Sequence, residues 1–168
     1  FRTQSALRLL SELPITVLRG NRGEIGALVG SGEVRGVEAT GSEDPRAVAE
    51  AAHQAFGMTV AVTGATDVIV GKDATYLVHN GTPLLGMITG SGCMATATIG
   101  IFNAVGDDAA LQTALGLAAY EVAAERAAAG NPGPGTFRAR LLDEVAALQQ
   151  GGDVPVRIEP LARERHQE

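Results

Sequence analysis

The sequence predicts an α/β layered fold with a mainly parallel central sheet flanked by helices, and three observations predict it. Apolar runs of strand length alternate with capped, amphipathic helical segments through the first half of the chain. Those runs, such as Val60-Ala61-Val62, are continuously apolar, as in strands buried on both faces. Beyond Gly90-Ser91-Gly92 nearly everything reads as helix.

In order, Ser5 to Leu13 reads as an amphipathic helix carrying Leu7, Leu9, Leu10 and Leu13, stopped by Pro14. Ile15-Thr16-Val17-Leu18 follows as a short buried strand ending at Arg19-Gly20. Asn21 and Glu24 have the spacing of a capping box, opening a helix that runs to Val29. Residues 30–42 read as loop. Asp44-Pro45 caps the next helix, which runs to Phe56 and stops at Gly57. Thr59 to Thr63 is a second buried strand. Three brief strands are then expected, at Asp67–Val70, Thr75–His79 and Pro83–Leu85, with Asn80-Gly81 as a hairpin signal. Helices are expected at about 93–105, 108–129 and 135–149. Val154 to Ile158 reads as an edge strand before a polar end. No internal repeat or linker divides the chain, so residues 1–150 are expected as one portion and 151–168 as a tail.

Composition narrows the function. The chain has 168 residues and a formal net charge of -6, with 45% hydrophobic residues, which suits one domain with a real core and rules out disorder. An acidic balance with 13 basic residues offers no positive stripe for nucleic acid. Cys93 is the sole cysteine, which excludes an intrachain disulfide and a cysteine zinc site, and points to a reducing, intracellular compartment. Leu84 to Gly106 is uncharged and long enough to span a bilayer. Its Gly-Ser-Gly interruption favours a buried strand, a turn and a buried helix, so no membrane partner is expected. The start, Phe1-Arg2-Thr3-Gln4, carries neither Met nor the apolar core of a signal peptide.

Two constellations could carry chemistry. Thr89-Gly90-Ser91-Gly92-Cys93 follows an apolar run and opens a helix. Glycines there let the backbone turn sharply, and a helix N-terminus gathers N–H groups and partial positive charge, which suits an anion such as phosphate. The same field favours a thiolate at Cys93. A tight turn with a small packed cysteine is the plainer alternative. Arg19-Gly20-Asn21 with Glu24 is the second. Arginine matches phosphate oxygens with a planar fork, and a carboxylate one turn away could join a magnesium shell. A capping box with a solvated arginine explains the same spacing. Thr63-Gly64, at the next strand's end, offers a hydroxyl on the same sheet edge.

Other motifs lose ground. Gly90 to Ala95 fits G-x-G-x-x-A, but Gln112 and Thr113, not a strand-ending acid, stand about 20 residues on. Gly71-Lys72-Asp73 lacks the remaining features of a P-loop. His53 and His79 have no second ligand at metal spacing and read as structural. The Ala-rich stretch 118–129 reads as packing, and Glu121 with Glu125 as a solvated face.

At these residues the sequence resembles the hydroxyethylthiazole kinases, the thiamin-salvage members of the ribokinase-like kinases. The matching segments, in order, are Val17-Leu18-Arg19-Gly20-Asn21 with Glu24, Val60 to Gly64, Asp67 to Val70, Val78 to Leu85, Thr89 to Cys93, and Gly133 to Phe137. The likeness covers about residues 1–150. It is specific because relatives in the wider fold family generally end the glycine turn in Asp, where Cys93 stands here.

The resemblance implies a three-layer ribokinase-like fold and Mg²⁺-assisted phosphoryl transfer from ATP to the primary alcohol of hydroxyethylthiazole. It implies that Arg19, Asn21 and Thr63 contact the nucleotide, that Glu24 belongs to the magnesium shell, and that Gly90 lies against the thiazole. Ser91, Gly92 and Cys93 would line the anion hole, with Cys93 where relatives place their base. The family's long N-terminal part precedes the segment matching Phe1, so this chain is expected to be the C-terminal, nucleotide-binding portion of a cytoplasmic homotrimer, partnered by that upstream portion. The alternatives are another ribokinase-like alcohol kinase, of hydroxymethylpyrimidine or pyridoxal type, and a catalytically incomplete nucleotide-binding fragment.

Overall fold

In the computed structural model, residues 2–30 and 44–161 are described. The loop expected at 30–42 and the polar end of the tail lie almost wholly outside them. The chain forms two compact units, one running to Leu77 and resuming at Pro160, the other spanning Val78–Glu159.

The first unit begins with α1 (Arg2–Glu12), β1 (Val17–Asn21), α2 (Arg22–Val29) and α3 (Pro45–Phe56). It continues with β2 (Thr59–Thr63), β3 (Asp67–Val70) and β4 (Thr75–Val78). Local chemistry explains the borders. Asp44 accepts a hydrogen bond from Arg46 N with Pro45 in the first turn, and Gly57 ends α3 at a left-handed φ of 72°, donating its N–H to His53 O at 2.9 Å. His53 Nδ1 lies 2.7 Å from Met58 O, the structural place expected of it.

The strands occupy a sheet in the order β1-β2-β3-β4-β5, where β5 is Ile158–Leu161. β1 and β2 are parallel and β2 and β3 antiparallel, so the sheet is mixed. Connection length dictates this. Two helices separate β1 from β2, enough for a parallel crossover, whereas only Gly64-Ala65-Thr66 separates β2 from β3, which permits only reversal. Ile25, Leu28 and Val29 of α2 and Val48, Ala49 and Ala52 of α3 pack with Val60, Val62, Val68 and Val70 to form the core. Leu7 and Leu10 of α1 pack against it, while Leu9 and Leu13 stay exposed.

The second unit contains a 3₁₀ turn (Pro83–Met87), α4 (Ser91–Asn103), α5 (Ala109–Ala127) and α6 (Pro134–Ala147). α5 packs against both α4 and α6. Small residues allow that approach: a Cβ on Gly116 would stand 3.1 Å from Ile99 Cα, and Ala114, Ala118, Ala123, Ala124 and Ala127 are fully buried. The alanine-rich stretch is packing, as expected. No described helix is long and apolar enough to cross a membrane.

Four expectations need correction here. Pro83–Leu85 is not a strand: Thr82 opens a 3₁₀ turn, its carbonyl accepting from Leu85 N at 3.1 Å, and Pro83 supplies the fixed φ such a turn starts with. Asn80-Gly81 closes no hairpin. Asn80 Oδ1 instead accepts from Arg157 N at 2.7 Å, Asn80 Nδ2 donates to Pro155 O at 3.3 Å, and His79 N donates to Arg157 O at 2.9 Å. β5 accordingly starts at Ile158, later than the edge strand expected from Val154.

The last correction concerns α5. Glu121 is buried, and Glu125 is the centre of a polar cluster. Glu125 Oε1 accepts from Gly81 N at 2.7 Å and from Arg157 Nη2 at 2.6 Å. Burial pushes the Glu125 carboxyl up, but the bonds from Arg157, Gly81 and Asn80 together outweigh it and hold it below the ordinary carboxylate range. The same pairing raises Arg157.

Candidate functional site

Arg19, Asn21, Glu24 and Thr63 come together in the first unit. β1 runs one residue past the Arg19-Gly20 end expected from the sequence, so Arg19 lies inside the strand and Asn21 ends it. The parallel register sets Asn21 beside Thr63. Arg19 Nη2 donates to Thr63 Oγ1 at 2.9 Å, and that hydroxyl donates on to Gly20 O at 3.4 Å. Arg19 is therefore a positioned guanidinium, not a solvated one. Its Nε is buried and has no hydrogen-bond partner.

The capping box is complete. Asn21 Oδ1 accepts from Glu24 N at 2.9 Å, and Glu24 Oε2 accepts from Asn21 N at 2.7 Å. Both residues are exposed, so the cap does not bury the Glu24 carboxylate. Among the described residues no three His, Cys, Asp or Glu side chains gather to cage a metal. Mg²⁺ needs no such cage, since it is commonly held by one or two carboxylates, waters and substrate phosphates, and Glu24 fits that role.

Gly90, Ser91, Gly92 and Cys93 come together in the second unit as the N-terminus of α4. Gly90 sits at φ 93°, ψ -4°, the left-handed region that a residue with a Cβ enters only at a cost. No side chain caps this helix, so the first-turn N–H groups point outward unclaimed by a cap. Cys93 is exposed in that turn. Tyr120, itself buried, donates to Ser91 O at 3.0 Å and fixes the turn from behind.

Two of the residues shaping these sites escaped the sequence reading. The sequence reads Asp67 as the start of a strand, yet its Oδ1 accepts from Gly64 N at 2.9 Å across the reversal between β2 and β3. Tyr120 lies 29 residues from Ser91, and no local pattern announces the bond.

With this geometry in place, known proteins supply the context. A model described as the hydroxyethylthiazole kinase family matches residues 1–151. The chain belongs to the hydroxyethylthiazole kinase family. It is 47% identical over 149 residues to the hydroxyethylthiazole kinase of Methanosphaerula palustris, covering 88% of this chain and 56% of that one. With the Rubrobacter xylanophilus hydroxyethylthiazole kinase it shares 50% identity over 149 residues, 88% of this chain and 55% of the relative. The solved hydroxyethylthiazole kinase structure from Pyrococcus horikoshii superposes with a TM-score of 0.80 at 34% identity, covering 96% of this chain and 61% of that one. The fold is thus the α/β, ribokinase-like fold of these kinases. The chain spans little more than half the length of the relatives it matches.

Proposed function

We propose that this chain serves ATP-dependent phosphorylation of the primary alcohol of 4-methyl-5-(2-hydroxyethyl)thiazole, in thiamin salvage. The observation that carries the reading is the family match over residues 1–151, which contains both constellations built above. In the reaction the alcohol oxygen attacks the γ-phosphorus of ATP, the bond to ADP breaks, and the alcohol proton must be taken up or oriented. We assign nucleotide contact to Arg19, Asn21 and Thr63. The N–H groups of Ser91, Gly92 and Cys93 are assigned to the transferring phosphoryl group, whose equatorial oxygens gather negative charge. Gly90 is assigned to the thiazole, and Cys93 Sγ to the alcohol proton. Glu24 is the residue that would hold Mg²⁺, which when bound would supply neutralisation of phosphate charge.

We further read the active assembly as a cytoplasmic homotrimer that includes polypeptide equivalent to the upstream part of the relatives. Supporting this, the exposed side of α4 carries Cys93, Ala97, Ile101 and, just past its end, Val105, and the helix has no charged residue. Ile101 is 67% exposed and Val105 81%, an apolar face of the kind that further polypeptide covers. A free, exposed Cys93 suits a reducing compartment.

The test is direct detection of phosphorylated hydroxyethylthiazole made from ATP by the purified chain and by the gene product at family length. Product from either supports the kinase. Product from the family-length protein alone identifies this chain as an incomplete half. Silence from both refutes the thiazole reading and favours a relative with another alcohol.

A further inference from the structure

The corner between β2 and β3 holds a carboxylate that phosphoryl transfer does not use. Asp67 is 1% exposed, although burying a carboxylate is costly unless its oxygens are engaged. Its Oδ1 accepts the N–H of Gly64 at 2.9 Å, across a reversal of only three residues. Gly64 belongs to the peptide that follows Thr63, so this bond fixes the orientation of the peptide plane on the far side of Thr63. From the other side, Thr63 is pinned by the parallel register with Asn21. Its hydroxyl then has a defined position, and it is the atom to which Arg19 Nη2 donates at 2.9 Å. Space alone does not enforce the corner, because a Cβ on Gly64 would meet nothing closer than 3.6 Å.

We infer that Asp67 is a positioning residue for nucleotide binding, holding the Thr63-Gly64 corner so that Thr63 orients the Arg19 guanidinium. The inference rests on the assignment of Arg19 and Thr63 to the nucleotide. On this inference the corner requires of Asp67 an acceptor of the right reach. An asparagine, equally short and with a carbonyl oxygen in place, meets that requirement.

The experiment measures ATP affinity by titration calorimetry, and thermal unfolding by circular dichroism, for the gene product at family length and for its Arg19→Ala, Asp67→Ala and Asp67→Asn variants. Asp67→Ala is expected to weaken ATP about three- to tenfold, the range for losing one hydrogen bond that orders a binding group. Asp67→Asn should restore affinity to within about twofold. Rescue by asparagine at matched thermal stability is a result that a merely structural role would not give. If Arg19→Ala weakens ATP while Asp67→Ala does not, the positioning role is overturned and the nucleotide reading survives. An Arg19→Ala variant with unaltered affinity overturns the nucleotide reading and the inference with it. Asp67→Asn losing as much as Asp67→Ala would overturn the inference by making charge the requirement. Should Asp67→Ala not fold, Asp67→Ser takes its place in the same comparison.

Discussion

Two glycines, one preceding α4 and one within it, face opposite demands, and exchanging each for alanine separates the turn from a position that tolerates a Cβ. Gly90 precedes α4 at φ 93°, with nothing within 4 Å of where a Cβ would lie. Its substitution therefore meets no clash, and the whole cost is backbone conformation, about 1–2 kcal/mol for a residue with a Cβ held left-handed. Gly100 also has open space around a Cβ, but it lies within α4 at no such φ. There alanine removes conformational freedom from the unfolded chain and stabilises by about 0.5–1 kcal/mol. For a chain of this size the two variants should move the melting temperature in opposite directions, by about 2–8 °C downward for Gly90→Ala and about 1–4 °C upward for Gly100→Ala. Activity should divide more sharply. Alanine at 90 relieves its strain by re-forming the turn, which re-aims the N–H groups of Ser91 and Gly92, and loss of such a donor set lowers turnover by about a hundredfold or more. Circular dichroism melts and the phosphorylated-product assay, run on the catalytically competent protein, read both quantities. A Gly90→Ala protein as stable and as active as its parent would refute the claim that this turn needs glycine.

Further predictions separate charge, proton transfer and packing. Cys93→Ser should lower turnover at least about tenfold if the thiol handles the alcohol proton, general bases being worth about a hundredfold or more; unchanged turnover removes Cys93 from that role. Glu24→Gln keeps the acceptor that caps α2 through Asn21 N, so stability should hold while the magnesium dependence of activity weakens; a fall in melting temperature with unaltered magnesium dependence would make Glu24 purely a cap. Glu125 has a depressed pKa in the folded state, so its stabilisation is fully present above the ordinary carboxylate range and is lost as pH falls through the lower folded value. Glu125→Gln should therefore flatten the acid limb of a stability–pH profile, and an unchanged limb would show that the cluster contributes nothing to pH dependence.

What the sequence made legible is local. Asp44-Pro45 and Gly57 announce both ends of α3 because a cap acts within a few residues, and the capping box of Asn21 and Glu24 is visible for the same reason. β2 and β3 were readable from continuous apolar runs, since strands buried on both faces leave no room for polar alternation. Mixed sheet direction was legible in principle, from the three residues between those strands. The misreadings share a cause, which is pairing across distance. Asn-Gly is a hairpin signal only if the next segment returns as a neighbouring strand, and here Thr82-Pro83 turns the chain into a 3₁₀ helix instead.

The same distance effect decides which residues look functional. Glu125 at four residues from Glu121 resembles a solvated helix face, because spacing along one helix cannot report a backbone N–H 44 residues earlier or a guanidinium 32 residues later. Arg19 shows the opposite error. Read locally, a solvated arginine beside a capping box was the simpler account. The parallel register that places Asn21 beside Thr63 makes a hydroxyl 44 residues away its partner, and turns a flexible cation into an oriented one. An arginine held in place before a ligand arrives loses less side-chain freedom on binding, so on the assignment proposed above the bond from Arg19 to Thr63 favours affinity in addition to any contact Thr63 itself makes. Tyr120, which holds the Gly90–Cys93 turn from behind, is thus invisible to motif reading, whereas Arg19, Thr63 and the turn itself are plain in the sequence and only the bond by which Thr63 orients Arg19 is not.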